Sequence, residues 1–207
     1  MCSYDNGFID KIEGNGNIGL RKPQYGALCS IRAHWTINDE AITIVFPTGT
    51  GKSETMLAAI VSEKIKRTLI VVHNKLLRDQ TYERAKTWGI LKEIGCVSGN
   101  VLNPNTLYLK SNFNDVEQFE TIIEDSNIII STMSLINNMD ENQVRFVSTK
   151  CDLLVVDEAH YISSKTWNSF KRQFSQKKIL QFTAIPYRQD GKLVDGKIVY
   201  KFPMYGY

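Results

Sequence analysis

Residue types that bind phosphate and magnesium lie close together in residues 45–56, which read VFPTGTGKSETM. Gly49 and Gly51 would let backbone N–H groups turn toward phosphate oxygens, where a Cβ atom would obstruct them. Lys52 would reach the β- and γ-phosphates of a nucleotide, and the Ser53 hydroxyl would complete the shell of a Mg²⁺ ion. Because a helical pattern starts at this point, the positive end of a helix would face the same anion.

The strict phosphate-loop pattern, G-x-x-x-x-G-K-[ST], has glycine where this chain has Phe46. The alternative interpretation is therefore a glycine-rich turn with a solvated lysine. An apolar run before the loop, a helical pattern after it and a second motif farther along the chain all favour the phosphate site.

That second motif, LLVVDEAHYI at residues 153–162, places two carboxylates where an apolar run ends. At the carboxyl end of a parallel strand they would face the same crevice as the phosphate loop. Asp157 would hold Mg²⁺ through water, and Glu158 would polarise the attacking water. Alone, such a pair is commonly just a helix cap. Together with the phosphate loop it predicts a site that hydrolyses nucleotides.

Length and composition indicate one α/β domain that is neither secreted nor membrane-bound. The chain has 207 residues, 43% of them apolar and 23% charged, which leaves little for a second domain. No apolar run approaches about 18 residues, and no signal pattern follows Met1. We expect no membrane partner and a cytoplasmic, nucleoid-associated or nucleus-associated location. A net charge of +3 is too small to indicate a nucleic-acid partner by itself.

The cysteines are scattered through the chain without a C-x-x-C pair. This spacing is typical of reduced thiols in a cytosol and suggests neither a zinc nor an iron–sulfur site. The four positions are Cys2, Cys29, Cys96 and Cys151.

Short apolar runs alternate with longer helical patterns. This alternation predicts a central parallel sheet with right-handed crossovers and helices on both faces. The predicted strands are residues 41–46, 68–73, 127–132, 152–157 and 178–183, and the predicted helices are 52–66, 75–88, 115–125 and 164–174. Residues 98–115 have turn residues without a period, which indicates a loop or an inserted hairpin. Two Asp-Gly turns and a short alternating run after residue 189 predict a small hairpin.

Taken in order, the motifs resemble those of a nucleic-acid helicase or translocase of superfamily 2, with the DEAH form of its second motif. They are LRKPQYGA (20–27), PTGTGKS (47–53), VVHNKLLRDQ (71–80), STMSLI (131–136), DEAH (157–160) and TAIPYR (183–188). The run from residue 182 onward is most similar to the branch that contains type III restriction subunits and nucleotide-excision-repair helicases.

The resemblance implies a RecA-like P-loop NTPase fold and a division of the chain. Residues 1–19 would be an N-terminal lead-in, residues 20–189 the first RecA-like domain, and residues 190–207 a linker toward a second RecA-like domain that this chain lacks.

The resemblance also assigns an ATP and Mg²⁺ site. Gln24 would recognise adenine, and the phosphate loop would hold the phosphates through Pro47, Thr48, Gly49, Thr50, Gly51, Lys52, Ser53 and Glu54. Ser53 and Asp157 would hold the metal. The catalytic set would be Lys52, Asp157, Glu158 and His160.

Two further segments would lie along a nucleic-acid backbone, and a third would couple them to the ATP site. The implied contacts are His73, Asn74, Arg78, Gln80, Ser131 and Thr132, and the implied coupling residues are Thr183, Ala184 and Arg188. The coupling motif usually reads T-A-T-P, but here Ile185 replaces its second threonine.

Other interpretations of these residues remain open. Arg78 and Gln80 could be solvated residues on a helix face, and His73 could be structural. Ser131 and Thr132 could cap the helix that follows them.

We expect an ATP-driven motor that moves along duplex DNA. The alternative is a nucleotide-dependent clamp or switch in a larger complex, without unwinding activity. Glu158 favours hydrolysis, because a pure binding module needs no water-activating carboxylate. The isolated chain should be weakly active.

Overall fold

The computed structural model describes residues 7–14, 16–109, 115–161, 169–188 and 191–203. Helices and strands alternate along the chain from Lys22 onward. The helices are α1 (Lys22–Trp35), α2 (Lys52–Ser62), α3 (Lys75–Ala85), α4 (Val116–Asp125), α5 (Met133–Asn138) and α6 (Glu141–Lys150). The strands are β1 (Ile42–Val45), β2 (Thr68–Val72), β3 (Thr106–Tyr108), β4 (Ile128–Thr132), β5 (Leu153–Val156), β6 (Lys178–Thr183) and β7 (Lys197–Lys201).

The strands form one seven-stranded sheet in the order β3-β4-β2-β5-β6-β1-β7. Every pairing is parallel, as the alternating sequence pattern predicts. Strand β6 lies between β5 and β1, so the ends of these three strands are neighbours. This order brings the three sequence motifs that follow them to one edge of the sheet.

Helices cover both faces of the sheet, and strand alternation distributes the apolar side chains between two cores. In β2, Ile70 and Val72 join the core under α1 and α2, whereas Leu69 and Val71 join the core under α4 and α6. All four side chains are at most 1% exposed. Strands buried on both faces explain why the sequence shows continuous apolar runs instead of alternation.

Two predicted helices end earlier than the sequence pattern suggested. Helix α2 stops at Ser62, and Lys64 beyond it has a left-handed backbone (φ 54°). Helix α3 stops at Ala85, and Trp88 beyond it is also left-handed (φ 65°). Left-handed residues close helix ends by satisfying the last carbonyls, and apolar periodicity does not reveal them. Residues 164–168 of the predicted helix at 164–174 lie outside the described residues.

The hairpin expected after residue 189 was wrong in its main part. Residues 197–201 form β7, which pairs in parallel with β1 at the edge of the sheet. Among the described residues of this segment, a single antiparallel bridge joins Tyr187 to Leu193, on either side of the first Asp-Gly pair. Within residues 98–115, for which a loop or a hairpin was expected, the structure shows a loop over 98–105 and then the edge strand β3, parallel to β4. A half-exposed edge strand has the same alternating pattern as a hairpin strand, which accounts for the error.

Candidate active site

The phosphate loop, the acidic strand end and the coupling segment leave the sheet at adjacent carboxyl ends. Val45 of β1 lies opposite Thr183 of β6, and the Phe46 N–H donates to the Thr183 carbonyl at 2.8 Å. On the other side of β6, β5 delivers Asp157 to the same edge. The sheet therefore brings together the residues of three distant motifs.

Backbone conformation explains the glycines of the phosphate loop. Gly49 and Gly51 have φ values of 82° and 90°, a region that side chains rarely adopt. A Cβ atom on Gly51 would also lie 2.0 Å from Nε2 of Gln24. Thr50 closes the loop by donating its hydroxyl to the Pro47 carbonyl at 2.7 Å.

Gln24 connects helix α1 to the phosphate loop. Its Oε1 accepts the Arg21 N–H at 2.8 Å, and its Nε2 donates to the Gly51 carbonyl at 3.3 Å. A cavity of about 410 Å³ opens beside it, with Ile90, Ile94 and Glu54 in its wall. The aliphatic side chains and the nearby amide suit a flat, polar-edged ring such as a purine.

Lys52 and Glu158 form an ion pair at the centre of the edge. Both side chains are largely buried, with exposures of 10% and 18%. Glu158 has a left-handed backbone (φ 54°), which is uncommon for a residue with a side chain and is typical of functional sites. Among the described residues, its second oxygen, Oε2, is buried without a hydrogen-bond partner. A group held in this way is ready to accept a proton or a water hydrogen bond.

His160 joins Glu158 to the end of β6. Its Nδ1 lies 2.9 Å from the Thr183 hydroxyl and 3.4 Å from Glu158 Oε2. Because the Thr183 hydroxyl donates to the Ile185 carbonyl at 2.6 Å, its oxygen accepts from His160, which places the imidazole proton on Nδ1. Burial lowers the pKa of His160, which favours the neutral ring.

Asp157 differs electrostatically from an ordinary surface aspartate. Burial raises its pKa to about 6, and the positive charge of Lys52 opposes that rise. One carboxylate oxygen accepts the Glu158 N–H at 3.0 Å. With the hydroxyl of Ser53, this carboxylate supplies the hard oxygen ligands that Mg²⁺ prefers, so the donor set fits the metal.

The sequence prediction missed Arg84, which also reaches this site. It lies in the last turn of α3, and its guanidinium donates to the Ser53 hydroxyl at 2.7 Å. No motif or spacing in the sequence indicates this contact, because it depends on how α3 packs beside α2.

Two of the expected nucleic-acid contacts, Arg78 and Ser131, are buried in the structure. Arg78 is 7% exposed, so it is not the solvated residue of the alternative interpretation either. Its guanidinium donates to the Leu109 carbonyl at 2.9 Å and lies over the Tyr108 ring. Ser131 is fully buried, and its hydroxyl donates to the Thr132 carbonyl. Neither side chain faces solvent, because the neighbouring segments use both of them for packing.

The other four expected nucleic-acid contacts are either helix caps or exposed side chains. Asn74 and Thr132 cap α3 and α5, accepting the N–H groups of Leu77 and Leu135. His73 and Gln80 are exposed. The imidazole of His73 stacks on Tyr161, with ring centroids 4.2 Å apart.

The coupling segment leaves β6 as an irregular strand end. Thr183 is fully buried against His160, whereas Ala184 and Arg188 are half-buried. The Arg188 N–H donates to the Lys192 carbonyl at 2.8 Å, within the short turn after Tyr187.

A larger cavity, of about 800 Å³, lies at the opposite edge of the sheet. Ala41, Ile179 and Lys197 in its wall stand at the amino ends of β1, β6 and β7. It therefore lies away from the phosphate loop. In the part of the chain that the structure describes, no helix is long and apolar enough to cross a membrane.

Solved helicase structures share this fold. The UvsW helicase of bacteriophage T4 superposes with a TM-score of 0.62 at 14% identity, covering 93% of this chain and 64% of that one. The Hef helicase domain of Pyrococcus furiosus gives 0.54 at 19% identity, over 77% and 33% of the two chains. The SWI2/SNF2 ATPase core of Sulfolobus solfataricus, solved with double-stranded DNA, gives 0.53 at 16% identity, over 86% and 35%. At these identities the likeness establishes the fold alone.

Sequence comparison identifies the family. A protein of Acanthamoeba polyphaga mimivirus that bears the name of an ATP-dependent RNA helicase is 25% identical over 144 residues, which cover 69% of this chain. The chain spans only 24% of that relative. Residues 17–188 match the family described as the type III restriction enzyme, res subunit. The chain therefore belongs to that family and is the first RecA-like, ATP-binding domain of a superfamily 2 helicase.

Proposed function

We propose that this domain is the motor of a helicase or translocase that couples ATP hydrolysis to movement along duplex DNA. The observation that carries the proposal is a continuous set of contacts, from Lys52 through Glu158 and His160 to Thr183. These contacts link the proposed phosphate-binding lysine to Thr183, at the carboxyl end of strand β6. A domain that only bound nucleotide would not need such a link.

Nucleotide binding would release the catalytic carboxylate. Lys52 is the cation of the phosphate loop, and its ion pair with Glu158 neutralises both groups in the nucleotide-free state. Phosphate oxygens carry more charge than one carboxylate, so Lys52 would transfer to them. Glu158 would then be free to orient a water molecule and accept its proton.

The metal would be held by Ser53 and Asp157, and it would supply the positive charge that stabilises the phosphoryl group during transfer. Asp157 must be ionised for this role. Its raised pKa of about 6 leaves it ionised at neutral pH, and an adjacent cation would favour the ionised form further.

His160 and Thr183 would transmit the state of the site. Any displacement of Glu158 alters its 3.4 Å contact with His160, whose Nδ1 is held by the Thr183 hydroxyl. Thr183 ends β6, and the chain beyond it contains Ala184 and Arg188. We propose that this segment moves with the nucleotide state and changes the grip on nucleic acid.

The nucleic-acid surface would be the exposed side of the same edge. His73, Asn74 and Gln80 are exposed there, and the start of α3 offers backbone N–H groups to a phosphate. Grip of this kind recognises the backbone and little sequence. Duplex DNA is the first candidate substrate, and the archaeal SWI2/SNF2 core, which shares the fold with this chain, was solved with double-stranded DNA. The mimivirus relative, by its name, makes RNA the second candidate.

We further propose that a second RecA-like domain completes the ATP site. The chain spans between 24% of the mimivirus protein and 64% of the T4 helicase, so these relatives contain much more than this domain. Catalytic arginines supplied from outside a phosphoryl-transfer site contribute on the order of 10³-fold or more in rate. The domain alone should therefore bind ATP well and hydrolyse it slowly.

A protein that contains this domain together with its following region tests the proposal. Its ATPase rate should rise when duplex DNA is added, and it should displace a third strand or a bound protein from DNA only when ATP is present. Structured RNA provides the matched comparison. Stimulation by RNA alone would make RNA the substrate, and stimulation by neither would leave no support for a motor.

A further inference from the structure

Arg84 is a cation at the phosphate loop that the proposed ATP site does not use. Its Nη1 lies 2.7 Å from the Ser53 hydroxyl oxygen and donates a hydrogen bond to it. Arg84 stands in the last turn of α3, where the negative end of the helix favours a positive charge. Helix packing therefore brings a guanidinium to a residue in the first turn of a different helix, α2.

The Ser53 oxygen would bind a Mg²⁺ ion less readily while it accepts the hydrogen bond from Arg84. The Ser53 oxygen has two lone pairs, and the Arg84 hydrogen bond occupies one of them, so a Mg²⁺ ion bound to the other would crowd the guanidinium. It would also place a divalent charge beside the guanidinium. The two cations therefore compete for one position.

Asp157 is the carboxylate whose negative charge Arg84 can balance. Lys52 is paired with Glu158, so its charge is already compensated. Asp157 remains beside the loop, and the positive charge of Arg84 is close enough to favour its ionised form. Arg84 itself is exposed and, within the described residues, forms no ion pair with a carboxylate. It is held by a single hydrogen bond and can leave at small cost.

We propose that Arg84 is a placeholder cation, which occupies the position beside Ser53 until a metal–nucleotide complex binds. The proposal rests on the ATP site described above and adds a residue to it. In the absence of metal, Arg84 partly substitutes for Mg²⁺ at the phosphates of a bound nucleotide. When Mg²⁺ arrives with the nucleotide, Arg84 withdraws and contributes nothing further to affinity.

Binding of a fluorescent ADP analogue to the 207-residue chain tests this, in excess EDTA and in excess MgCl₂. Arg84→Ala should weaken metal-free binding by about tenfold, the effect of losing one charge-assisted contact. In MgCl₂ the same variant should bind within about twofold of the parent chain, because the metal occupies the position. Arg84→Lys should retain part of the metal-free affinity, since it keeps the charge but not the reach.

Lys86→Ala is the matched control. Lys86 lies two residues beyond Arg84 and pairs with Glu83, so its removal takes one positive charge from the same end of α3 without touching Ser53. It should change neither measurement. Equal weakening of Arg84→Ala in both solutions would make Arg84 an ordinary phosphate ligand or a structural residue and overturn the proposal. No weakening in either solution would also overturn it. If the parent chain binds no ADP even with MgCl₂, the proposed ATP site itself is wrong.

Discussion

Two groups of residues leave the same edge of the sheet, and the structure treats them differently. Around the phosphate loop, charged side chains face one another, and Glu158 keeps a buried oxygen without a hydrogen bond among the described residues. Beside them, Arg78 and Ser131 are turned into the protein. Each donates to a backbone carbonyl, and Arg78 also pairs with the Asp79 carboxylate. In the part of the chain that the structure describes, the first region leaves a polar atom unsatisfied, whereas the polar atoms of the second are bonded within the protein. Under the proposed function, this contrast separates residues that do chemistry from residues that support the surrounding structure.

The largest expected effect is on turnover, in the first region. Glu158→Gln keeps the shape of the side chain but removes the base and the ion pair with Lys52, so ATP hydrolysis should fall by roughly 10²-fold or more. Nucleotide affinity should not decrease, because Lys52 no longer has to leave a carboxylate. Single-turnover hydrolysis and binding titrations measure the two quantities. Glu83→Gln, on the surface of α3, is the control. An equal loss of ATP hydrolysis in that variant would show that the effect is not specific to the region around the phosphate loop.

The next prediction concerns the loss of folding stability that results from burying the carboxylate of Asp157. The folded pKa of Asp157, about 6, lies above its ordinary value of 3.8, so the ionised carboxylate destabilises the fold above pH 6. Below pH 3.8 it is protonated in both states, and the cost disappears. Asp157→Asn should therefore raise the free energy of unfolding at pH 7.5 by on the order of 1–3 kcal/mol, and by progressively less as the pH falls from 6 toward 4. Thermal unfolding in EDTA measures this. Destabilisation at pH 7.5 would contradict it.

A smaller effect is expected in the second region, and on stability instead of chemistry. Arg78→Ala removes a buried guanidinium that bonds to Leu109 and covers Tyr108, which should cost about 2 kcal/mol of unfolding free energy. Gln80→Ala, two residues away and exposed, should stay within about 0.5 kcal/mol. Chemical denaturation compares the two variants. If Arg78→Ala leaves stability unchanged and weakens only nucleic-acid binding, the contrast between the regions fails.

The sequence predicted the interior strands well because strands covered on both faces leave a continuous apolar signal. It did not predict α1, which mixes polar and apolar residues and has Pro23 in its first turn. It also did not predict the helix α6 or the edge strands β3 and β7, and edge strands resemble hairpins or loops. Lys52 and Glu158 could be assigned from local spacing, since each motif needs only its own neighbours. The burial of Arg78 and the reach of Arg84 depend on packing between distant segments, which local spacing does not contain.

Calorimetric titration of ATP–Mg²⁺ into the chain and its Lys52→Ala variant tests the central claim most directly. The substitution removes the cation of the phosphate loop and leaves Glu158 without its partner. Affinity should fall by about tenfold or more, which corresponds to about 1.4 kcal/mol of binding free energy. Equal affinities for the parent chain and the variant would mean that nucleotide does not bind at this edge of the sheet.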